Sequence, residues 1–177
     1  MTETTESVRV DSATRDSKQK ENVDWRGKDF KQLIYGHLYE NTPGGTNITL
    51  TVAGTFYQWV TSTIGEESGT DYVVGSATSD NLTIGVSGAG IYYINVHTCF
   101  GGDNNSVIHG KVYKNAAATI LEFHRKLGGA DQGSASTSGL LELVSGDVLD
   151  LRFASDGAGT TLIVHHVGLT IFRISVA

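Results

Sequence analysis

The chain has 177 residues, a length suited to one domain that buries roughly two-thirds of its unfolded surface. Its 13 basic and 19 acidic residues argue against electrostatic binding to nucleic acid, and its one cysteine, Cys99, excludes an intrachain disulfide framework or a thiolate zinc cage. Glycine is the outlier, with 22 residues beside a single proline, against an average of about 7%; this points to many tight turns between short strands.

No apolar run approaches the roughly 18 residues of a membrane span, so no membrane partner is expected. The opening MTETTESVRVDSATRD lacks the apolar segment of a secretory signal. Met1 to Asp24 holds Val8, Val10 and Val23 but no aromatic residue, and cannot bury enough apolar surface to offset its ordering entropy. It is expected to be disordered when free. The next segment mixes aromatic and basic residues. It reads either as a loop whose Trp25 and Phe30 cover a core edge, or as an anchor in which Trp25, Arg26, Lys28, Phe30 and Lys31 dock on a partner surface.

From Leu33 onward the texture is β. Leu33 to Tyr39 reads as a strand, Asn41 to Gly45 as a turn cluster, and Asn47 to Val52 as a strand alternating at period two. Further strands are expected at Phe56 to Val60, Tyr72 to Val74, Asn81 to Ile84, Ile91 to Phe100 and Val107 to Tyr113. The series continues with Ile120 to Arg125, Ser134 to Leu143, Val148 to Phe153 and Thr161 to Ile174. Many short strands separated by turn residues indicate an all-β sandwich or barrel. The alternation sends Tyr92, Ile94, Val96, Thr98 and Phe100 inward, with Leu121, Phe123, Leu149, Leu151 and Phe153.

The last strand departs from this pattern. Read at strict period two, both of its faces are largely apolar, so the second one requires a cover, either a loop or another subunit. Tyr93, Asn95 and His97 lie on the outer side of another strand with few charges, which favours a subunit contact. The expected interface is Tyr93, Asn95, His97, His165, Val167, Leu169 and Ile171.

Gly88-Ala89-Gly90-Ile91-Tyr92-Tyr93-Ile94 resembles a strand of C1q/TNF-like jelly rolls, and Ser138 to Leu151, with its Gly146-Asp147 turn, resembles their penultimate hairpin. Phe100-Gly101-Gly102-Asp103-Asn104-Asn105, then Lys114-Asn115-Ala116, then Arg125-Lys126, are similar in order and spacing to C1q-like domains of bacteriophage structural proteins. The likeness covers roughly Thr46 to Ala177, which sets an arm over residues 1–45 and a C1q/TNF-like jelly-roll β-sandwich over 46–177. The resemblance implies ten strands in two sheets and a homotrimer about a three-fold axis. It also implies a non-enzymatic role on the exterior of a phage particle, with the chain made in the host cytoplasm. Partners would be the chain itself and a major capsid protein or other virion protein, with a host glycan or receptor as a further partner at outer loops that include Asp103, Asn104, Asn105, Asp131 and Asp156.

Little else suggests chemistry. His165 and His166 are adjacent and point to opposite faces, so one chain cannot chelate an ion with both. Asp147 reads as turn chemistry. Asp103-Asn104-Asn105 lacks the oxygen count and spacing of an EF-hand. No triad order surrounds Cys99, and Gly85 to Gly90 leads into no helix. No enzyme activity, metal or cofactor is expected.

Overall fold

The computed structural model describes residues 33–129 and 131–176. Among the described residues there are eleven β-strands and no helix. They are β1 (Tyr35–Leu50), β2 (Tyr57–Gln58), β3 (Thr63–Glu67), β4 (Val73–Ser76), β5 (Asn81–Ile84) and β6 (Gly90–Gly102). Next come β7 (Val107–Lys114), β8 (Ala117–Lys126), β9 (Gly133–Leu143), β10 (Val148–Ser155) and β11 (Thr160–Ser175). The chain passes repeatedly between two antiparallel sheets. One is ordered β3-β1-β11-β6-β9; the other is ordered β4-β5-β10-β7-β8, with β2 paired to β10. The expected jelly-roll sandwich is the architecture found.

Period-two alternation builds the core between the sheets. Tyr92, Ile94, Val96 and Phe100 from β6 are fully buried, with Leu149, Leu151 and Phe153 from β10 facing them across the sandwich. Phe100, Phe123 and Phe153 form an aromatic cluster with ring centroids 6.2–6.3 Å apart. Glycine contributes inside strands as well as at turns. A Cβ on Gly110 would overlap the Phe123 ring on the neighbouring strand, so that glycine is a packing requirement.

Three expectations are corrected. The Asn41 to Gly45 cluster does not reverse the chain. It is an irregularity inside β1, where pairing with β11 shifts register between Asn41 and Thr46. The expected domain start at Thr46 therefore falls within a strand that begins at Tyr35. The irregularity is held by the buried Glu40, whose Oε1 accepts hydrogen bonds from the Thr42 (3.1 Å) and Thr46 hydroxyls. Its Oε2 accepts from Trp59 Nε1 (2.8 Å) and the Thr61 hydroxyl (3.0 Å). Four donors on one carboxylate offset its desolvation and fix Thr61 at φ 78°, a costly conformation for a β-branched residue.

The second correction concerns β3. Its sequence, Thr63-Ile64-Gly65-Glu66-Glu67, has no strand signature, and it exists because it pairs with the edge of β1.

The third concerns β11. Between Val164 and His166 the pairing with β6 slips by one residue, leaving His165 as the extra residue of a β-bulge. A bulge reverses which residues face inward. Leu162 and Val164 enter the core before it, and Val167, Leu169 and Ile171 enter the core after it, all fully buried within this chain. Val167, Leu169 and Ile171 are therefore not surface residues, and their assignment to a subunit interface is withdrawn. The second apolar face of the last strand arose from carrying period two straight through the bulge.

Candidate functional surfaces

The bulge leaves a well-defined outer face on the five-stranded sheet. Strand register arranges its residues in cross-strand rows: Tyr35–Phe172–Tyr93–Leu140, His37–Thr170–Asn95–Ser138, Tyr39–Gly168–His97–Ser136 and Asn41–His166–Cys99–Ser134. None of these residues carries a formal charge when its histidines are neutral. Tyr93 and Phe172 pack with ring centroids 5.2 Å apart, and His37 stacks on Tyr39 at 5.4 Å. Leu140 and Phe172 are exposed.

At the centre of the face lie three histidines. His97 Nε2 and His166 Nε2 are 3.0 Å apart, so one nitrogen donates and the other accepts. The His97 ring lies over Gly168, where any Cβ would overlap it. Burial, and then the neighbouring His166, push His37 below the ordinary histidine value; burial, then His166 and His37, do the same to His97. His37 and His97 therefore favour the uncharged form.

Of the expected interface residues, Tyr93, Asn95 and His97 occupy this face, half-buried, and His165 sits in the bulge against Gly45. Sequence reasoning missed Tyr35, His37, Tyr39, His166, Thr170, Phe172 and Leu140. The alternation Tyr35-His37-Tyr39 was a usable signal. For β11 the signal was hidden by the bulge. Trp25, Arg26, Lys28, Phe30 and Lys31 lie outside the described residues.

The outer face of the six-stranded sheet is charged. Lys111 pairs with Glu122 (2.5 Å), and Arg152 holds Asp150 through Nε (2.6 Å) while its guanidinium lies 4.2 Å from the Tyr113 ring centre. Burial works against the Glu122 charge, but the hydrogen bond and charge of Lys111 hold its carboxyl below the usual carboxylate range. Asp147 is buried beneath the β9–β10 turn. Its Oδ2 accepts from the Val144 N–H (2.8 Å) and Lys114 Nζ (2.8 Å), and its Oδ1 accepts from Asn115 Nδ2 (2.7 Å). The turn role expected for it is what it performs, and it also ties that turn to the β7–β8 turn.

The expected outer-loop residues come together at one end of the sandwich, mostly to hold the chain itself. Asp103 Oδ2 accepts from the Thr161 N–H (2.7 Å), and Asn104 Oδ1 accepts from the Gly129 N–H (2.6 Å). The Asn105 N–H donates to the Leu127 carbonyl (3.0 Å) from a left-handed φ of 65°. Asp131 pairs with Arg125 (2.5 Å) and Asp156 with His109 (2.7 Å).

Neither a protein-family model nor a curated protein sequence matches the chain. Solved structures do. The Eiger TNF of S. frugiperda aligns with a TM-score of 0.63 at 14% identity, covering 82% of this chain and 94% of that one. The globular domain of zebrafish complement 1qA aligns at 0.57 and 13% identity, covering 82% and 100%. Murine APRIL at pH 5.0 aligns at 0.56 and 14% identity, covering 81% and 100%. With sheet order, strand pairing and these neighbours in agreement, the fold of the described residues is a C1q/TNF-like jelly-roll β-sandwich.

Proposed function

We propose that the chain is a non-enzymatic structural protein of a bacteriophage virion. In this reading it is a homotrimeric capsid-decoration or head-fibre protein, made in the host cytoplasm and carried on the particle exterior. The observation that carries the self-association is the uncharged outer face of the five-stranded sheet. Its four cross-strand rows present tyrosine, phenylalanine, leucine, histidine and small polar side chains. Such a surface gains by leaving water, and a closed cyclic assembly covers it in every copy at once. The interface we propose comprises Tyr35, His37, Tyr93, Asn95, His97, Thr170, Phe172 and Leu140. The phage setting is supported by the resemblance of Phe100 to Asn105, Lys114 to Ala116 and Arg125-Lys126 to phage C1q-like domains.

The N-terminal arm, with Trp25, Arg26, Lys28, Phe30 and Lys31, is the proposed anchor to a capsid or other virion protein. Three arms on one trimer raise avidity above that of a single arm by orders of magnitude. The test is deletion of residues 1–31, followed by measurement of mass and of binding to particles lacking the protein. The reading expects an intact trimer that no longer binds. Retained particle binding contradicts the anchor.

A second reading, a receptor- or glycan-binding module of a tail fibre or baseplate, is favoured by the convergence of the loops bearing Asp103, Asp131 and Asp156 at one end. Adsorption of the isolated protein to host cells, with a glycan array, separates the two readings.

A further inference from the structure

On the charged face, β7 and β8 place His109 directly opposite His124, with Glu122 two residues before His124 on the same side of its strand. His109 Nδ1 and His124 Nε2 each lie 3.5 Å from Glu122 Oε1, and one ligand atom from each of the three residues falls within 4.8 Å of the others. The two rings meet edge to face with centroids 4.5 Å apart.

These separations are longer than the usual hydrogen-bond range of about 2.7–3.2 Å. They match a different geometry. Ligands about 2.0–2.1 Å from a tetrahedral zinc ion are separated from each other by roughly 3.4 Å. Two edges of such a tetrahedron are therefore already close to the required length, and the His124 side chain is exposed and free to adjust.

The surroundings support the same reading. His109 Nε2 lies 2.7 Å from Asp156 Oδ1, so its N–H is directed to that carboxylate and Nδ1 is the nitrogen that faces the cluster. Lys111 engages Glu122 through Oε2, which fixes the carboxylate and leaves Oε1 facing the histidines. Asp156 and Lys111 thus orient His109 and Glu122 much as the outer-shell partners of a metal site do.

We propose that His109 Nδ1, Glu122 Oε1 and His124 Nε2 form a binding site for a divalent late transition-metal ion of the zinc type, with its fourth position open to solvent and Asp156 as the positioning residue. Two nitrogen ligands favour such an ion over calcium or magnesium, which take oxygen ligands.

The test is calorimetric titration of the tag-free full chain with ZnCl2 at neutral pH, beside the same titration with CaCl2. One Zn2+ is expected to bind per chain, with no comparable Ca2+ binding. His124→Ala and Glu122→Gln should each weaken Zn2+ binding more than about tenfold while far-UV circular dichroism is unchanged, since His124 is exposed. Asp156→Asn should weaken it by about 10–100-fold. In imidazole-nitrogen NMR, Zn2+ should shift Nδ1 of His109 and Nε2 of His124. The proposal is overturned if Zn2+ does not bind, if binding is unchanged in His124→Ala and Glu122→Gln, or if it is lost in His97→Ala instead.

Discussion

The two sheets obey the same alternation on their inner sides and differ on their outer sides. On the six-stranded sheet the outer positions carry Lys111, Glu122, Arg152 and Asp150, which satisfy one another beside water. On the five-stranded sheet the four central rows offer aromatic, histidine and small polar groups, with Leu140 and Phe172 exposed. A charged outer face is at rest in solvent, whereas an uncharged one gains by being covered. This difference is the ground on which we propose self-association for one face and ligand binding for the other.

The largest expected effect separates core from surface on β11. Leu169→Ala should lower the unfolding free energy by about 2–5 kcal/mol, because Leu169 lies in the core of its own chain. Leu140→Ala should cost clearly less, because Leu140 is exposed within its own chain and loses only contacts between copies. Denaturant melts of both variants check this, and near-equal losses would contradict the assignment of faces.

Next in size is Gly168→Ala. The added methyl must displace the His97 ring, at about 1–3 kcal/mol, read as a lowered melting temperature with altered His97 ring resonances. An unchanged His97 environment would count against that packing.

Acid supplies a third contrast. His37 and His97 are held below the ordinary 6.5, so the folded chain resists protons that the unfolded chain accepts. The stability they contribute is present above about pH 6.5 and is lost as the pH falls through their depressed folded values. Melting temperature should therefore fall in this range, before the carboxylates titrate. His37→Gln with His97→Gln should flatten the decline, and a decline of the same slope in that variant would contradict the assignment.

The smallest effect belongs to the charged face. Lys111→Ala removes a partly exposed ion pair and should cost about 0.2–1 kcal/mol, with no change in oligomeric state.

Much of the fold could be read from the sequence because period two is strong where one side of a strand is buried. Tyr92 to Phe100 and Leu149 to Phe153 face inward as the alternation requires. What could not be read depends on partners far along the chain. β3 is a strand because of its place beside β1. The Asn41 to Gly45 cluster has turn chemistry, yet Glu40 reaches Trp59 and Thr61 to hold it as an interruption within one strand. His165-His166 gives no local sign of a bulge, and that one extra residue moved Val167, Leu169 and Ile171 from the expected interface to the core. Tyr93, Asn95 and His97 lie on the outer side of their sheet, as the alternation requires, because β6 pairs with β9 without interruption. The His109–Glu122–His124 cluster needed the β7–β8 register before its members could be seen together.

The central claim, that the uncharged face joins copies of this chain, is tested most directly by sedimentation mass of the native protein and of Thr170→Asp. Thr170 lies in the His37–Thr170–Asn95–Ser138 row, where the proposed interface would bury a carboxylate whose nearest titratable neighbour, His37, favours the uncharged form. A native trimer and a folded, monomeric Thr170→Asp are the predicted results. A monomeric native protein, or a Thr170→Asp variant that keeps the trimer mass, would contradict the account.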